Sequence, residues 1–375
     1  MAGLYVHIPF CKQACHYCDF HFSTDISTRR ELCTALVGEL VLQKDYLSEE
    51  INTIYLGGGT PSLLNRGELD ILFAAIRTHF TLAPQVEITL EANPDDLTKE
   101  KLDEVRAIGI NRLSIGIQSF DDNLLKYLNR VHDANGARQS LNNVREAGFN
   151  NISIDLIYAI PGLSQKIWEE TLQEALHFLP EHISLYGLTI EERTVFGNWS
   201  KRGKLRPMDE ENSAQQFEML TDMLLPAGYT HYEISNFCKP GFYSRHNSSY
   251  WKQSPYLGIG PSAHSYNGDS RQFNIRNNAS YIRSINEGII PFEREVLSRE
   301  NKINEYILTT LRTEWGCDLS FLKRHLDDDL LHRRGDYLAQ LQQNGLVTIE
   351  NGIILLSRKG KLLADRITEE LMVSE

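Results

Sequence analysis

Residues 4–18 read Leu-Tyr-Val-His-Ile-Pro-Phe-Cys-Lys-Gln-Ala-Cys-His-Tyr-Cys, so a strand-like run from Leu4 to Ile8 leads directly into three cysteines. Cys11, Cys15 and Cys18 follow the spacing Cys-x3-Cys-x2-Cys. Four thiolates would close a structural zinc site or an ordinary iron-sulfur site, whereas three thiolates hold a four-iron cluster by three corners. The spacing therefore predicts a [4Fe–4S] cluster whose fourth iron is open to a ligand.

A zinc site is the alternative interpretation of these cysteines. The motif would then be half of a zinc knuckle, with His16, His21 or a distant residue as the fourth ligand. Zinc sites usually pair one Cys-x2-Cys with a second knuckle, and no second knuckle follows in this chain. The pattern therefore favours the cluster.

The aromatic residues around the last two cysteines, in Cys-His-Tyr-Cys-Asp-Phe, resemble the signature of the radical S-adenosylmethionine (SAM) superfamily. The resemblance implies that the open iron chelates the amino and carboxylate groups of SAM. It also implies that the reduced cluster can cleave the sulfonium to a deoxyadenosyl radical.

The remaining composition indicates a soluble cytoplasmic protein. Cys33, Cys238 and Cys317 are isolated, so the six cysteines form no disulfide framework, and a reducing compartment fits best. Residues 1–10 lack the features of a signal peptide, and no run of eighteen apolar residues occurs. The net charge of −12 argues against nucleic acid as a partner.

Apolar strand-like runs alternate with amphipathic helical stretches up to about residue 190, which predicts a parallel α/β sheet. The predicted strands are Leu4 to Ile8, Thr53 to Leu56, Val86 to Glu91, Arg112 to Gln118, Ile152 to Ile157 and Ile183 to Leu188. Predicted helices include Thr28 to Leu47, Gly67 to His79 and Lys99 to Ala107. Six such units make a partial (β/α)6 TIM-like barrel, whose active site is expected at the C-terminal rim of the strands.

The chain divides into three predicted parts. Residues 1–228 form the partial barrel and end with a helix over Met208 to Leu225. Residues 229–296 form an irregular α+β region rich in Tyr, Asn, Ser, Gly and His. Residues 297–375 form a mostly helical, winged-helix-like module with a hairpin that turns at Asn351-Gly352. Residues 317–375 carry 8 basic and 10 acidic residues, which predicts a packing or protein-contact module rather than a DNA-binding one.

Gly57-Gly-Gly-Thr-Pro61 follows the second predicted strand, and glycines let a backbone approach a ligand closely. The segment resembles the SAM-binding glycine motif of the same superfamily. The alternative is a tight turn in which Thr60 caps a helix that starts at Pro61. Polar residues also stand at or near strand ends, where buried polar groups need partners: Glu91, Gln118 and Asp155.

Six segments resemble, in order and spacing, the oxygen-independent coproporphyrinogen III oxidase-like group of this superfamily. They are Leu-Tyr-Val-His-Ile-Pro-Phe-Cys, Gly-Gly-Gly-Thr-Pro, Leu-Glu-Ala-Asn-Pro, Gly-Ile-Gln-Ser-Phe, Asn-Arg and Ile-Asp-Leu-Ile-Tyr-Ala-Ile-Pro-Gly. The resemblance implies that a first SAM contacts Tyr5, Gly58 and Glu91. It implies that a second contacts Tyr17, Gly59, Thr60, Gln118, Arg130 and Asp155.

Three departures separate the chain from the dehydrogenase of that group. Phe20 stands where the dehydrogenase has a fourth cysteine, only ten residues precede the cysteine triplet, and the segment His246-Asn-Ser-Ser-Tyr-Trp251 is present. That segment resembles the haem-binding signature of a haem chaperone family, whose members pass haem to acceptor proteins such as respiratory enzymes.

The haem-chaperone resemblance implies four haem contacts on a segment that we expect to be a loop: His246 as axial ligand, with Asn247, Tyr250 and Trp251 beside it. The alternative is a loop histidine that satisfies backbone groups next to a core Tyr-Trp pair. His264 is the second candidate for haem or substrate, and His7 is expected only to orient the cluster.

We therefore expect a haem chaperone that carries a [4Fe–4S] cluster and SAM, with no catalytic residue assigned. Its expected partners are haem and acceptor haem proteins. Acceptors that are bound to a membrane would bring this protein to the membrane surface. The rivals are coproporphyrinogen decarboxylation and another radical SAM oxidoreductase. The sequence leaves open SAM cleavage, the acceptor's identity and homodimer formation.

Overall fold

The computed structural model describes residues 2–373, and its strands follow the predicted alternation. The strands are Ala2–Ile8 (β1), Ile51–Gly58 (β2), Leu82–Ala92 (β3), Arg112–Gln118 (β4), Ile152–Tyr158 (β5), His182–Gly187 (β6), Thr230–Glu233 (β7), Asn236–Cys238 (β8), Tyr256–Ile259 (β9), His264–Tyr266 (β10), Ser270–Asn274 (β11), Phe292–Val296 (β12), Cys317–Asp318 (β13), Val347–Glu350 (β14) and Ile353–Leu356 (β15).

The helices are Arg29–Leu42 (α1), Arg66–His79 (α2), Lys99–Ile108 (α3), Asp122–Tyr127 (α4), Ala134–Glu146 (α5), Gln165–His177 (α6), Val195–Lys201 (α7), Glu210–Leu224 (α8), Arg245–Trp251 (α9), Asn278–Asn286 (α10), Arg299–Leu311 (α11), Leu319–His325 (α12), Leu330–Gln343 (α13), Arg358–Lys361 (α14) and Ala364–Leu371 (α15). Short 3-10 turns lie at Pro61–Leu63 and Pro94–Asp96. None of the helices within residues 2–373 combines the length and the apolar character needed to cross a bilayer.

Strands β1 to β6 are neighbours in chain order and all pair in parallel, so the predicted partial (β/α)6 barrel is confirmed. Leu4, Val6 and Ile8 of β1 are fully buried in the main core. Helices α2 to α6 begin at side-chain caps, such as the capping box of Asn65 and Glu68 at α2. Their apolar faces cover the outside of the sheet.

Two expectations of the sequence differ from the structure. Helix α1 ends at Leu42 rather than at Leu47, because the backbone of Gln43 (φ −106°, ψ 14°) leaves the helical conformation. The Gln43 side chain bonds Glu39 and Gln272 of β11. The region expected to be irregular contains β7 to β12, which extend both edges of the same sheet. Its strands are at most five residues long, and β11 buries the polar residues Ser270, Gln272 and Asn274, so the region carries little hydrophobic pattern.

The buried Glu39 of α1 explains part of that polarity. Its carboxylate accepts hydrogen bonds from the Asn274 side chain, the Gly260 backbone and the Tyr281 hydroxyl. A buried carboxylate needs such donors, so polar residues in this part of the chain are core residues.

Residues 303–371 form a second hydrophobic core, whose β13–β15 sheet includes the predicted hairpin at Asn351-Gly352. An ion pair of 3.0 Å joins Arg312 of this part to Glu233 of β7, which is only 1% exposed. The division of the chain at residues 228 and 296 stays a prediction.

Candidate cluster and cofactor site

The three cysteines of the motif lie at the carboxyl edge of the parallel strands, in residues 9–28 between β1 and α1. This segment is the candidate cluster loop, called the cluster loop below. Cys11, Cys15 and Cys18 are half-buried free thiols. The loop is held at both ends, because the Cys11 amide donates to Ser23 O (3.0 Å) and the His16 amide donates to Leu128 O (3.2 Å). The three cysteines are therefore carried by one loop that backbone hydrogen bonds hold in place.

The thiols of this loop share one environment. The pKa values of the Cys11 and Cys18 thiols are raised to about 11, mainly by burial and in smaller part by the charge on Cys15. A metal must therefore displace the thiol protons when it binds. Within residues 2–373 no three Cys, His, Asp or Glu side chains converge on a point that would hold a single metal ion. A four-iron cluster is larger than one ion, so its thiolates need no such convergence.

The two histidines considered as zinc ligands have other partners. His16 Nδ1 lies 2.9 Å from Tyr127 O, and its ring packs against Trp199. His21 Nε2 lies 2.7 Å from Asn278 Oδ1. These contacts anchor the loop to α4 and α10, which gives the histidines a structural role.

The glycine loop, residues 57–59, packs directly on β1 and the cluster loop. The Gly59 amide donates to Ile8 O (2.8 Å), and the Thr60 amide donates to Phe10 O (2.7 Å). Gly58 has φ 108°, and a Cβ there would lie 2.6 Å from the His7 ring. The glycines are therefore required by internal packing as well as by any ligand.

Thr60 departs from the helix-capping alternative. Its side chain makes no cap hydrogen bond to the 3-10 turn that starts at Pro61. Its hydroxyl instead donates to Cys11 Sγ at 3.5 Å.

Glu91 lies beside the glycine loop at the end of β3. Its carboxylate accepts from the Tyr55 hydroxyl (2.7 Å) and from the Gly58 amide (3.1 Å). Burial raises the pKa of this carboxyl to about 7, although the Tyr55 hydrogen bond opposes the rise. Tyr5 stacks on Tyr55, with ring centroids 6.2 Å apart. The predicted first SAM residues Tyr5, Gly58 and Glu91 are thus brought together.

Residues predicted for the second SAM lie on both sides of the cluster loop. Arg130 donates to Cys15 Sγ (3.3 Å), Asn93 Oδ1 (2.6 Å) and Gly116 O (2.9 Å). Burial is the main cause that raises the pKa of Tyr17, and charges on Arg130 and Cys15 also act on this phenol. Gly59 and Thr60, which are also predicted for the second SAM, lie on the other side of the cluster loop.

Asp155 and Gln118 lie on adjacent strands of the barrel. Asp155 of β5 faces the Ser114 hydroxyl at 3.5 Å, and burial raises its pKa to about 6. Gln118 ends β4 with φ 66°, at a register shift between β4 and β5. A left-handed non-glycine residue is strained and is often found at functional sites.

The haem motif forms a helix rather than the expected loop. It occupies α9, which is capped by the Ser244 hydroxyl. His246 is 1% exposed, with Nδ1 2.8 Å from Thr53 Oγ1 and Nε2 2.8 Å from the Tyr250 hydroxyl. Burial and the charge of Arg112 lower the pKa of His246 to about 3. The ring therefore bonds side chains, not the loop backbone that the alternative interpretation proposed.

The other candidates near this helix are placed differently. Asn247 is half-buried, and the Trp251 indole N–H is shielded from solvent without a hydrogen-bond partner in residues 2–373. His264 of β10 is exposed and lies 5.6 Å from the Phe273 ring. His7 joins Tyr5 to the cluster loop through its contacts with the Tyr5 hydroxyl (3.1 Å) and His21 O (2.9 Å).

Sequence reasoning missed three residues that hold this site together: Tyr55, Asn93 and Ser114. Tyr55 and Ser114 lie on strands and face the barrel interior, where strand alternation could have indicated them. Asn93 lies within the Leu-Glu-Ala-Asn-Pro segment but was not assigned a role.

The comparisons with known proteins cover the whole chain. Residues 5–175 match the model of the radical SAM superfamily, and residues 297–363 match that of the HemN C-terminal domain. The heme chaperone HemW of Bacillus subtilis (strain 168) is 34% identical over 371 residues, covering 98% of both chains. HemW of Escherichia coli (strain K12) is 36% identical over 265 residues, covering 70% of this chain and 69% of that one.

A solved structure has the same fold over nearly all of the chain. The match is to the coproporphyrinogen III oxidase HemN from Escherichia coli, a radical SAM enzyme, with a TM-score of 0.85 and 24% sequence identity. It covers 99% of this chain and 90% of that one. At this identity the likeness shows the fold.

Proposed function

This chain belongs to the HemW family of radical SAM proteins, and we propose that it binds haem and transfers it to acceptor haem proteins. The observation that carries the proposal is the similarity to proteins named heme chaperones over 98% of the chain, which includes both the barrel and the C-terminal part. Respiratory haem enzymes are the proposed acceptors.

Membership of the radical SAM superfamily implies a [4Fe–4S] cluster and SAM. We propose Cys11, Cys15 and Cys18 as the cluster ligands, since they are free, half-buried and carried by one anchored loop. Two hydrogen-bond donors, from Thr60 and Arg130, already point at their sulfurs. When bound, the cluster would supply an open iron for SAM and an electron for reducing it.

The proposed SAM contacts are the nine residues of the two groups described above. Tyr5, Gly58 and Glu91 are proposed for the first SAM. Tyr17, Gly59, Thr60, Gln118, Arg130 and Asp155 are proposed for the second. Glu91 is the natural partner of the SAM amino group, because its carboxylate is fixed at the strand end by the Tyr55 hydroxyl and the Gly58 amide.

We propose the segment from His246 to Trp251 as the haem contact. The low pKa keeps the His246 imidazole neutral, as a metal ligand must be. Thr53 orients the ring through Nδ1, which is the outer contact that ligating histidines usually make. Nε2 can bind the haem iron once its hydrogen bond to the Tyr250 hydroxyl is broken. The unpartnered Trp251 indole N–H is a donor for a haem carboxylate.

The test of the proposed function has two parts. Haem is titrated into the purified chain while the Soret band is followed, and the loaded protein is then mixed with an apo haem protein. We expect saturable binding followed by transfer of the Soret signal to the acceptor. A chain that shows no saturable haem binding, or that never releases haem to the acceptor, contradicts the proposal.

Coproporphyrinogen decarboxylation is the second candidate, favoured by the fold likeness to HemN. Phe20 speaks against it, because it is 73% exposed on the cluster loop where the dehydrogenase carries a fourth cysteine. We therefore propose that this chain does not perform that reaction.

A further inference from the structure

We propose that Asn93 is a positioning residue of the cluster, which aims two hydrogen-bond donors at two of its thiolates and thereby raises its reduction potential. Its Nδ2 donates to Thr60 Oγ1 (3.3 Å), and Thr60 donates to Cys11 Sγ (3.5 Å). Its Oδ1 accepts from Arg130 Nη2 (2.6 Å), and Arg130 Nη1 donates to Cys15 Sγ (3.3 Å). One amide thus connects two cluster cysteines.

The direction of each hydrogen bond between Asn93, Thr60, Arg130 and the two cysteines follows from which groups can donate. Asn93 Oδ1 must face Arg130, because a guanidinium has only donors. Its Nδ2 therefore faces Thr60 and occupies a lone pair of that hydroxyl, which leaves the hydroxyl proton for Cys11 Sγ. The opposite amide orientation would set two donors, Nδ2 and Arg130 Nη2, against each other.

The position of Asn93 follows from its sequence neighbours. Pro94 restricts the preceding residue to an extended conformation, and Asn93 has φ −88° and ψ 148°. It is the first residue after β3, so its side chain stands at the carboxyl edge beside the cluster loop. The Gly116 carbonyl holds the Arg130 guanidinium from a second side, at 2.9 Å.

The effect on the cluster has a definite sign. Reduction adds a negative charge that spreads over the sulfurs, so donors to sulfur stabilise the reduced state more than the oxidised state. Loss of one such bond should lower the reduced-to-oxidised ratio at a given potential about tenfold, which is about 59 mV for one electron. This inference rests on the proposed cluster at Cys11, Cys15 and Cys18.

The experiment compares Asn93→Leu and Thr60→Val with wild type after anaerobic reconstitution. Iron and sulfide content is measured first, and the midpoint potential is then determined by redox titration with electron paramagnetic resonance. Asn111→Leu is the matched control, since the Asn111 amide also makes two hydrogen bonds: its Oδ1 accepts from the Ile88 amide and its Nδ2 donates to Val86 O, in the middle of β3.

We expect a lower potential in Asn93→Leu and Thr60→Val, and a wild-type potential in Asn111→Leu. When Asn93→Leu and Thr60→Val are combined, Asn93→Leu should lower the potential by less than it does alone, because part of its effect passes through Thr60. Wild-type potential in either single variant overturns the inference, and Thr60→Val decides it if Asn93→Leu does not fold. Wild type without iron would instead refute the proposed cluster.

Discussion

The Nε2 atom of His246 lies 2.8 Å from the hydroxyl of Tyr250, one turn further along the same helix. With Nδ1 held by Thr53 at 2.8 Å, both nitrogens of this buried ring have partners. Ligation of haem iron by Nε2 therefore requires that its hydrogen bond to the Tyr250 hydroxyl be broken.

His246→Gln should keep the fold but weaken haem binding at least tenfold. The glutamine amide can bond Thr53 and Tyr250, whereas it is a poor ligand for haem iron. The Soret position and a haem titration measure the loss, and thermal unfolding checks the fold. His264→Gln is the control on an exposed histidine; if that variant loses the Soret band and His246→Gln retains it, the axial ligand is His264.

Tyr250→Phe should have the opposite effect on haem. Removal of the hydroxyl frees Nε2, so haem should associate several-fold faster, while the free energy of unfolding falls by about 1 kcal/mol. Stopped-flow absorbance and chemical denaturation give the two quantities. A slower association would mean that the Tyr250 hydroxyl itself binds haem or that His246 is not the ligand.

Replacement of Cys11, Cys15 or Cys18 with Ser should abolish the cluster, because an alkoxide is a much harder base than a thiolate. Iron and sulfide content after anaerobic reconstitution measures this. Cys33→Ala and Cys317→Ala, at buried thiols outside the motif, are controls that should lower stability without lowering iron content. Full iron content in Cys11→Ser would refute the assignment.

SAM affinity should rise as the pH rises through about 7. Burial raises the pKa of Glu91 to about 7, so below that pH the carboxyl is protonated and loses the negative charge with which it would accept a hydrogen bond from the SAM amino group. Calorimetric titration of the reconstituted protein between pH 6 and pH 8.5 checks the curve. Glu91→Gln should bind SAM weakly and lose this pH dependence; a variant with the wild-type profile would exclude Glu91 from the SAM site.

Coproporphyrinogen III should remain unconverted in an anaerobic reaction with reductant and SAM. The physical reason is the cluster loop, where an exposed phenylalanine, Phe20, replaces the cysteine of the dehydrogenase. Chromatography of the porphyrins measures the outcome, with the Escherichia coli HemN enzyme as positive control. Detection of the decarboxylated product would restore the enzyme interpretation.

The sequence by itself determined the features that depend on neighbours along the chain. The cysteine spacing indicated the candidate cluster loop. Short apolar runs located β1 to β6 to within a few residues, because parallel strands that are buried on both faces need nearly continuous apolar sequence. The turn at Asn351-Gly352 was equally local, since its two residues both adopt positive φ.

Only the tertiary structure decided which residues meet across long separations. Thr53 and His246 are 193 positions apart, and Arg130 and Cys15 are 115 apart, so no periodicity connects them. Sequence analysis expected His246 in a loop, because a seven-residue helix of polar and aromatic residues carries too little pattern to be recognised. Its burial comes from Tyr5, Tyr55 and Thr53 on the first two strands. The partners of each polar group are set by the way the strands and loops of this sheet pack together, which is a property of the whole fold.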